Sequence, residues 1–215
     1  SGFLATVYCK LKVNRGVAGG RNEGVKRSSG KYLVFLDDDA FIGPDDFPNR
    51  VGELFACEPK VGIIAFRSIN YYTGDIDRVE FPHTDKKRNP EVSFKTFRFI
   101  GVGHAIRRDI FDSVGLYDEE FFYAMEEFDL SYRAIKAGFQ ILYTPSVHVL
   151  HKKNASGRMP SSGMIEQTLL NKLRVNYMHL PFSYMLVSGL LWFGYSFYRS
   201  RGSANLLRVW RKYRI

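Results

Sequence analysis

The sequence predicts an α/β layer fold carrying an appendage, on three observations. Short β-forming apolar runs alternate with stretches of helical spacing, which is the signature of helices layered on a sheet. One of those runs, Lys31–Leu36, ends abruptly in Asp37-Asp38-Asp39, as a buried parallel strand does when it reaches the carboxyl edge of its sheet, where open α/β sheets bind ligands. The last third of the chain is set apart by charge. With 215 residues, 45% of them hydrophobic, the chain is long and apolar enough to bury a full core, which argues against disorder.

Taken in order, Leu4–Val13 alternates loosely and runs into Asn14-Arg15-Gly16, a strand entering a turn. Ala18–Ser28 follows as a helix stopped by Gly30, and Lys31–Leu36 is the strand that ends in aspartates. Pro44 sits where a helix begins, with Phe47, Val51, Leu54 and Phe55 on one face, and Val61–Phe66 returns as a strand. Residues 70–95 are polar, contain Pro82 and Pro90 and have no sustained period; they read as a long loop of the functional or mobile kind. Phe99–Ile106 is a strand, Asp109–Val114 a short helix stopped at Gly115, and Glu127–Ala137 a helix with Gly138 at its C′ position. Phe139–Tyr143 is a strand ending before Pro145, and Val147–Leu150 is a further apolar strand.

The net charge of +9 is unevenly spread: residues 1–150 carry 20 Lys/Arg against 21 Asp/Glu, whereas residues 151–215 carry 11 against Glu166 alone. Between Arg174 and Arg199 there is no charged residue. As a helix, Pro181–Tyr198 would span ~27 Å, marginal for a bilayer core of ~30 Å. Leu206, Leu207, Trp210 and Tyr213 fall at helical spacing among Arg208, Arg211, Lys212 and Arg214, a pattern that suits a helix lying on an anionic membrane. A true span and a buried helix are the alternatives. A continuous apolar run points to lipid rather than nucleic acid as the partner of the basic tail. Cys9 and Cys57 form no metal-site or disulfide pattern, so a reducing compartment is the default. No signal peptide pattern and no internal repeat is visible.

Three adjacent carboxylates repel one another unless a cation or hydrogen-bond donors neutralise them. On an extended strand Asp37 and Asp39 would face one way and Asp38 the other, and a divalent ion bridging to a diphosphate is a natural occupant; a solvated acidic turn is the structural alternative. The glycine-rich stretch Gly16–Gly24 allows close backbone approach, and Arg21 within it is built to pair with phosphate, though such a stretch also serves as a plain turn. Glu126, Glu127 and Asp129 make an acidic first helical turn, which the helix dipole favours by itself. His104, read alone, is a hydrogen-bonded structural histidine.

In sequence order, Asn14, Gly16, Ala18, Arg21, Asn22 and Gly24, then Asp37–Asp39 with Pro44 five residues on, then Gly101–Arg108, Val114–Phe122, Glu126–Arg133 and Tyr143-Thr144-Pro145 leading to His151 resemble the family-2 inverting glycosyltransferases of GT-A fold, particularly the rhamnosyltransferase-like branch. The resemblance spans about residues 11–157. It implies a GT-A (Rossmann-like), mostly parallel sheet flanked by helices. It also implies transfer of a sugar, with inversion, from a nucleotide-sugar donor to a hydroxyl of a saccharide or lipid-linked acceptor. By resemblance, Asp39 and Asp37 hold Mg²⁺ or Mn²⁺ on the donor diphosphate with His151 completing the shell, His148 being the alternative. Asp38 lies nearer the nucleoside, and Arg21 and Asn22 belong to the donor side. Glu127, where the family usually has Asp, is the general base, with Glu126 and Asp129 beside it; Gly103 and His104 lie by the acceptor.

The family normally opens with a β-α-β unit well ahead of the Asn-x-Gly motif, and only about ten residues precede it here. The implied sheet is N-terminally incomplete, with an exposed apolar edge, and the sequence reads as a piece of a longer protein. The domain expectation is a partial catalytic core over residues 1–157 and a helical, basic, membrane-associated segment over 158–215, in a cytoplasmic protein peripheral to the inner face of a membrane. Competing readings are a catalytically inactive fragment and a metal-dependent nucleotidyl or phosphoryl transferase, which leaves Glu127 without a role.

Overall fold

The computed structural model describes residues 6–153 and 162–201, with residues 205, 209 and 211 beyond them. In chain order the elements are α1 (Gly16–Arg27), β1 (Tyr32–Leu36), β2 (Ala40–Gly43), α2 (Phe47–Cys57), β3 (Val61–Asn70), β4 (Phe94–Thr96), β5 (Gly103–Arg107), α3 (Arg108–Val114), α4 (Glu126–Lys136), β6 (Gln140–His151), α5 (Ser162–His179) and α6 (Phe182–Arg199). The strands form one sheet in the order β1-β5-β3-β6-β2, with β4 also on β6.

The α/β class holds, but the sheet is mixed rather than mostly parallel. Only β3 and β6 pair in parallel among the described strands; β1–β5, β3–β5, β2–β6 and β4–β6 are antiparallel. Strands β1, β3 and β6 do run in one direction. β5 slots between β1 and β3 against that direction, and β2 and β4 flank β6 against it.

The six first residues of β3 are buried on both faces, as a two-sided central strand should be. On one face Ile63, Ala65 and Ile106 pack with Ala18 and Val25 of α1, Ile110 of α3 and Leu130 of α4. On the other, Ile64, Phe66, Leu142 and Val149 pack with Val51 and Phe55 of α2. β6 runs through Pro145 instead of ending before it. Its register against β3 jumps between Phe66↔Thr144 and Arg67↔His148, and a residue without an N–H is tolerated where the ladder is already interrupted.

Residues 6–13 form no strand, because no described strand pairs with them. The loop over residues 70–95 is anchored at both ends, by an Ile69↔Ile76 bridge and by β4, and Phe81, Phe94 and Tyr143 make a small core beneath it.

α5 rests on α4: His179 Nε2 lies 2.8 Å from Asp129 Oδ1. α6 is inside out. Gly189 and Ser196 are buried, while Phe182, Tyr184, Val187, Leu190 and Leu191 are at least 60% exposed. Trp192 and Phe193 pack on Leu169, Leu170 and Leu173 of α5. Among the described residues no helix is long and apolar enough to cross a membrane. Leu206, Leu207, Trp210 and Tyr213 lie outside the described residues.

Candidate active site

β1 stops at Leu36, and the aspartates form a turn rather than the end of a strand. Asp37 N donates to Val102 O (3.1 Å) and Ala40 N to Asp37 O (3.1 Å). The alternation expected of an extended chain is lost, and all three aspartates line one cleft of about 520 Å³ together with Arg21, Glu126, Glu127 and His151. β2 then pairs with the end of β6 so that Ala40 stands opposite His151. That register brings His151 Nε2 to 3.2 Å from Asp39 Oδ1, although 112 positions separate them. His148, opposite Gly43, is not on the cleft.

His151 is 2% exposed and its Nε2 has no hydrogen-bond partner among the described residues. Its Nδ1 lies 3.0 Å from both oxygens of Glu80, a residue the sequence reading passed over inside an aperiodic loop. Ser68 Oγ donates to Glu80 Oε2 (2.5 Å), and Lys153 Nζ is 2.7 Å from Glu80 Oε1 and also pairs with Asp77. Burial alone would raise the Glu80 carboxyl, but hydrogen bonds from His151, Lys153 and Ser68 outweigh it and hold the group at about 2. Among the described residues no cluster of three metal-ligating side chains exists.

Also lining the cleft, Ala124 (φ 64°) and Met125 (φ 74°) are successive left-handed residues immediately before α4. Asn171 of α5, fully buried, donates its amide to the carbonyls of Tyr123 (2.8 Å) and Ala124 (3.0 Å) and fixes that bend. Glu126 and Glu127 follow and converge on Arg21. Arg21 Nη1 lies 2.8 Å from Glu126 Oε1 and 3.8 Å from Glu127 Oε1. Its Nη2 donates to Gly101 O (3.2 Å) and reaches Asp37 Oδ1 at 3.4 Å. The expected phosphate clamp is therefore a carboxylate clamp, since the helix carrying Arg21 faces the acids rather than open space. The Glu126 side chain is 2% exposed against 18% for Glu127. Burial, then the neighbouring Glu127, push Glu126 well above the usual carboxylate range, against the pull of Arg21.

Four residues expected in the site lie beneath it. Asn22 is buried and clasps the 117–119 turn, donating to Tyr117 O (2.9 Å) and Glu119 Oε1 (3.0 Å) and accepting from Tyr117 N (3.0 Å). Asp129 is fully buried between Arg133 (2.5 Å) and His179 (2.8 Å), so it braces α4 against α5 and is off the cleft. His104 is also fully buried, with its ring stacked on Phe35, Nε2 3.0 Å from Tyr117 Oη and Nδ1 3.1 Å from Ile100 O. Burial, then Arg21, hold it well below the usual imidazole range. Gly103 is packed so closely that a Cβ would lie 2.5 Å from Val149 Cγ1. These two belong to the core, as the structural alternative for His104 has it, and not to an acceptor surface. Arg98, outside every motif, and Phe128, inside the Glu126–Arg133 motif but given no role there, do line the cleft, with the guanidinium 5.0 Å from the Phe128 ring centre.

Residues 5–115 match the family model described as Glycosyl transferase family 2. The chain belongs to that family. It is 28% identical over 144 residues to a poly-beta-1,6-N-acetyl-D-glucosamine synthase of Staphylococcus epidermidis, covering 64% of this chain and 34% of that protein. It is 47% identical over 58 residues to an N-acetylglucosaminyl-diphospho-decaprenol L-rhamnosyltransferase of Mycobacterium tuberculosis, covering 26% of this chain and 19% of that one. The chain thus spans about a third or less of the length of these relatives. Its fold matches that of GalNAc-T7 crystallised with UDP, GalNAc and Mn²⁺, at a TM-score of 0.59 and 21% identity, over 78% of this chain and 35% of that one. The family-2 chain thus has the GT-A fold expected from its motifs.

Proposed function

We propose that residues 1–157 form the catalytic part of an inverting glycosyltransferase that moves a sugar from a nucleotide-sugar donor to an acceptor hydroxyl. One observation carries this reading: a carboxylate pair and an aspartate–histidine pair line the same cleft, with Arg21 joining the first to Asp37. Inversion needs two such groups, a base on one side of the anomeric carbon and a stabilised leaving group on the other.

Glu127, the more accessible of the acidic pair, takes the proton of the acceptor hydroxyl. Buried Glu126 holds Arg21, which in turn sets the position of Glu127. In the same cleft Asp39 and His151 fit a divalent cation, with Asp37 lining the cleft beside them: an imidazole nitrogen beside a carboxylate oxygen is a donor pair, and two protein ligands leave positions for donor oxygens or water. Such an ion, Mg²⁺ or Mn²⁺, would supply positive charge against the departing diphosphate. Asp38 remains the candidate for the nucleoside side. Phe128 and Arg98 replace Gly103 and His104 as the acceptor wall, with a saccharide or lipid-linked acceptor as the substrate class.

In this reading the segment over residues 158–215, in which α5 and α6 are the described helices, is peripheral on the cytoplasmic face of a membrane. Support comes from the exposed apolar face of α6, which suits a lipid surface, and from the excess of basic residues in the same segment, which suits anionic headgroups.

Glu127→Gln in the full-length protein tests the base. Donor and Mn²⁺ affinity should stay within about twofold while kcat falls at least ~10²-fold, the pattern of an interaction made mainly in the transition state. Glu127→Asp should keep more activity. Wild-type turnover by Glu127→Gln alongside a dead Glu126→Gln would move the base to Glu126.

A further inference from the structure

We propose that Glu80 is a positioning residue for His151: its carboxylate accepts the Nδ1–H, fixing the tautomer and ring plane that turn the Nε2 lone pair toward Asp39. This rests on the reading that Asp39 and His151 hold the donor-side ion, and it adds a residue from the aperiodic loop to that site.

The geometry separates a positioning role from direct ligation. Both Glu80 oxygens lie 3.0 Å from Nδ1, on the side of the ring away from Asp39. Each is also engaged elsewhere, Oε2 by the Ser68 hydroxyl and Oε1 by the Lys153 ammonium. A carboxylate already taken by an imidazole, a hydroxyl and an ammonium is a poor ligand and a good fixed acceptor. An imidazole with no such partner is free to exchange tautomers and to rotate, and a ligating histidine held by a carboxylate loses that freedom; removing the outer partner typically costs 10–100-fold in metal affinity.

The backbone places Glu80 for this task. After β3 the chain doubles back through the Ile69↔Ile76 bridge, Asp77 N donates to Ser68 O (2.9 Å), and Glu80 N donates to Asp77 O (3.1 Å). Lys153, two residues beyond His151 on the outgoing chain, pairs with both Asp77 and Glu80. The loop and the end of β6 are thereby clamped around one imidazole, which is 2% exposed.

Two measurements on the full-length protein test the inference. With ¹⁵N-labelled histidine, long-range ¹H–¹⁵N spectra should show His151 as the Nδ1–H tautomer in the wild type and as a mixture in Glu80→Ala. A wild-type Nε2–H tautomer, or a spectrum unchanged by the substitution, overturns the proposal. Mn²⁺ binding followed by electron paramagnetic resonance, alone and with UDP or GDP, should weaken roughly 10–100-fold in Glu80→Ala and clearly less in Glu80→Gln, whose amide oxygen still accepts the Nδ1–H. Equal Mn²⁺ affinity in wild type and Glu80→Ala also overturns it. If Glu80→Ala does not fold, Glu80→Gln and Glu80→Asp carry both measurements. A wild-type protein that binds no Mn²⁺ under any of these conditions removes the metal reading itself, and the tautomer then decides the hold of Glu80 on His151.

Discussion

At Gly101 the missing side chain decides where the base can sit. A Cβ there would overlap Glu127 Oε1 and lie 2.6 Å from Arg21 Nη2. Arg21 cannot step aside without giving up Glu126 or the Gly101 carbonyl. Gly101→Ala should therefore lower unfolding free energy by about 1–3 kcal/mol, as a buried Arg21 contact is given up, while kcat drops about tenfold or more. Urea denaturation alongside steady-state kinetics checks both halves, and wild-type kcat would mean that the carboxylate has room to move. Single residues also mark the limit of what the sequence discloses. Asp39 and His151 were legible because each sits in a motif of fixed spacing. The partners of Arg21 and Asn22 were not, because a guanidinium or amide reads the same in sequence whether it meets a phosphate, a carboxylate or a backbone carbonyl. Glu80 carries no signal beyond being an acid between Val79 and Phe81, and only the folding back of its loop gives it a role.

Among the elements, α4 and α5 meet at a buried charge cluster whose contribution depends on pH. Burial would raise the Asp129 carboxyl, but hydrogen bonds from His179 and Arg133 outweigh it and lower it. A group held below its unfolded value of about 3.9 adds stability that is complete above that value and is lost as pH falls through its folded pKa. Asp129→Asn should cost about 3 kcal/mol near neutrality, as breaking a buried pair does. The gap between variant and wild type should hold from pH 7 to about 5 and close below about 4. Urea midpoints across that range measure it, and a gap independent of pH would mean that the loss is one of packing. The order of elements was legible where periods are long: α4 starts one residue earlier than expected and β1 ends where the aspartates begin. β2 was not, because four residues between a turn and Pro44 have no period to read. Nor was β5's place between β1 and β3, since strand order is decided by pairing across the sheet and leaves no local mark.

Taken whole, the molecule buries one face of α6 on α5 and leaves the other without a partner. Leu190 and Leu191 are 76% and 68% exposed, so replacing both by Ser in the full-length protein should leave the fold intact. At about 1.5–3 kcal/mol for each leucine withdrawn from water, co-sedimentation with anionic liposomes should weaken tenfold or more. Unchanged co-sedimentation would exclude this face from the docking surface. Point substitution is the sound choice here, because cutting the chain before α6 would take away Ser188, the partner of the buried Asn176, and cutting within α5 would take His179 from Asp129. The bend before α4 bears on the molecule differently. Two successive non-glycine residues held left-handed, Ala124 and Met125, each cost on the order of 1–2 kcal/mol, and the fold recovers the expense through the Asn171 clamp. Heat tolerance and turnover are thus set against each other in one short segment. Changes that relax it would harden the protein and let the base drift, so evolution toward hotter conditions has to find its stability elsewhere.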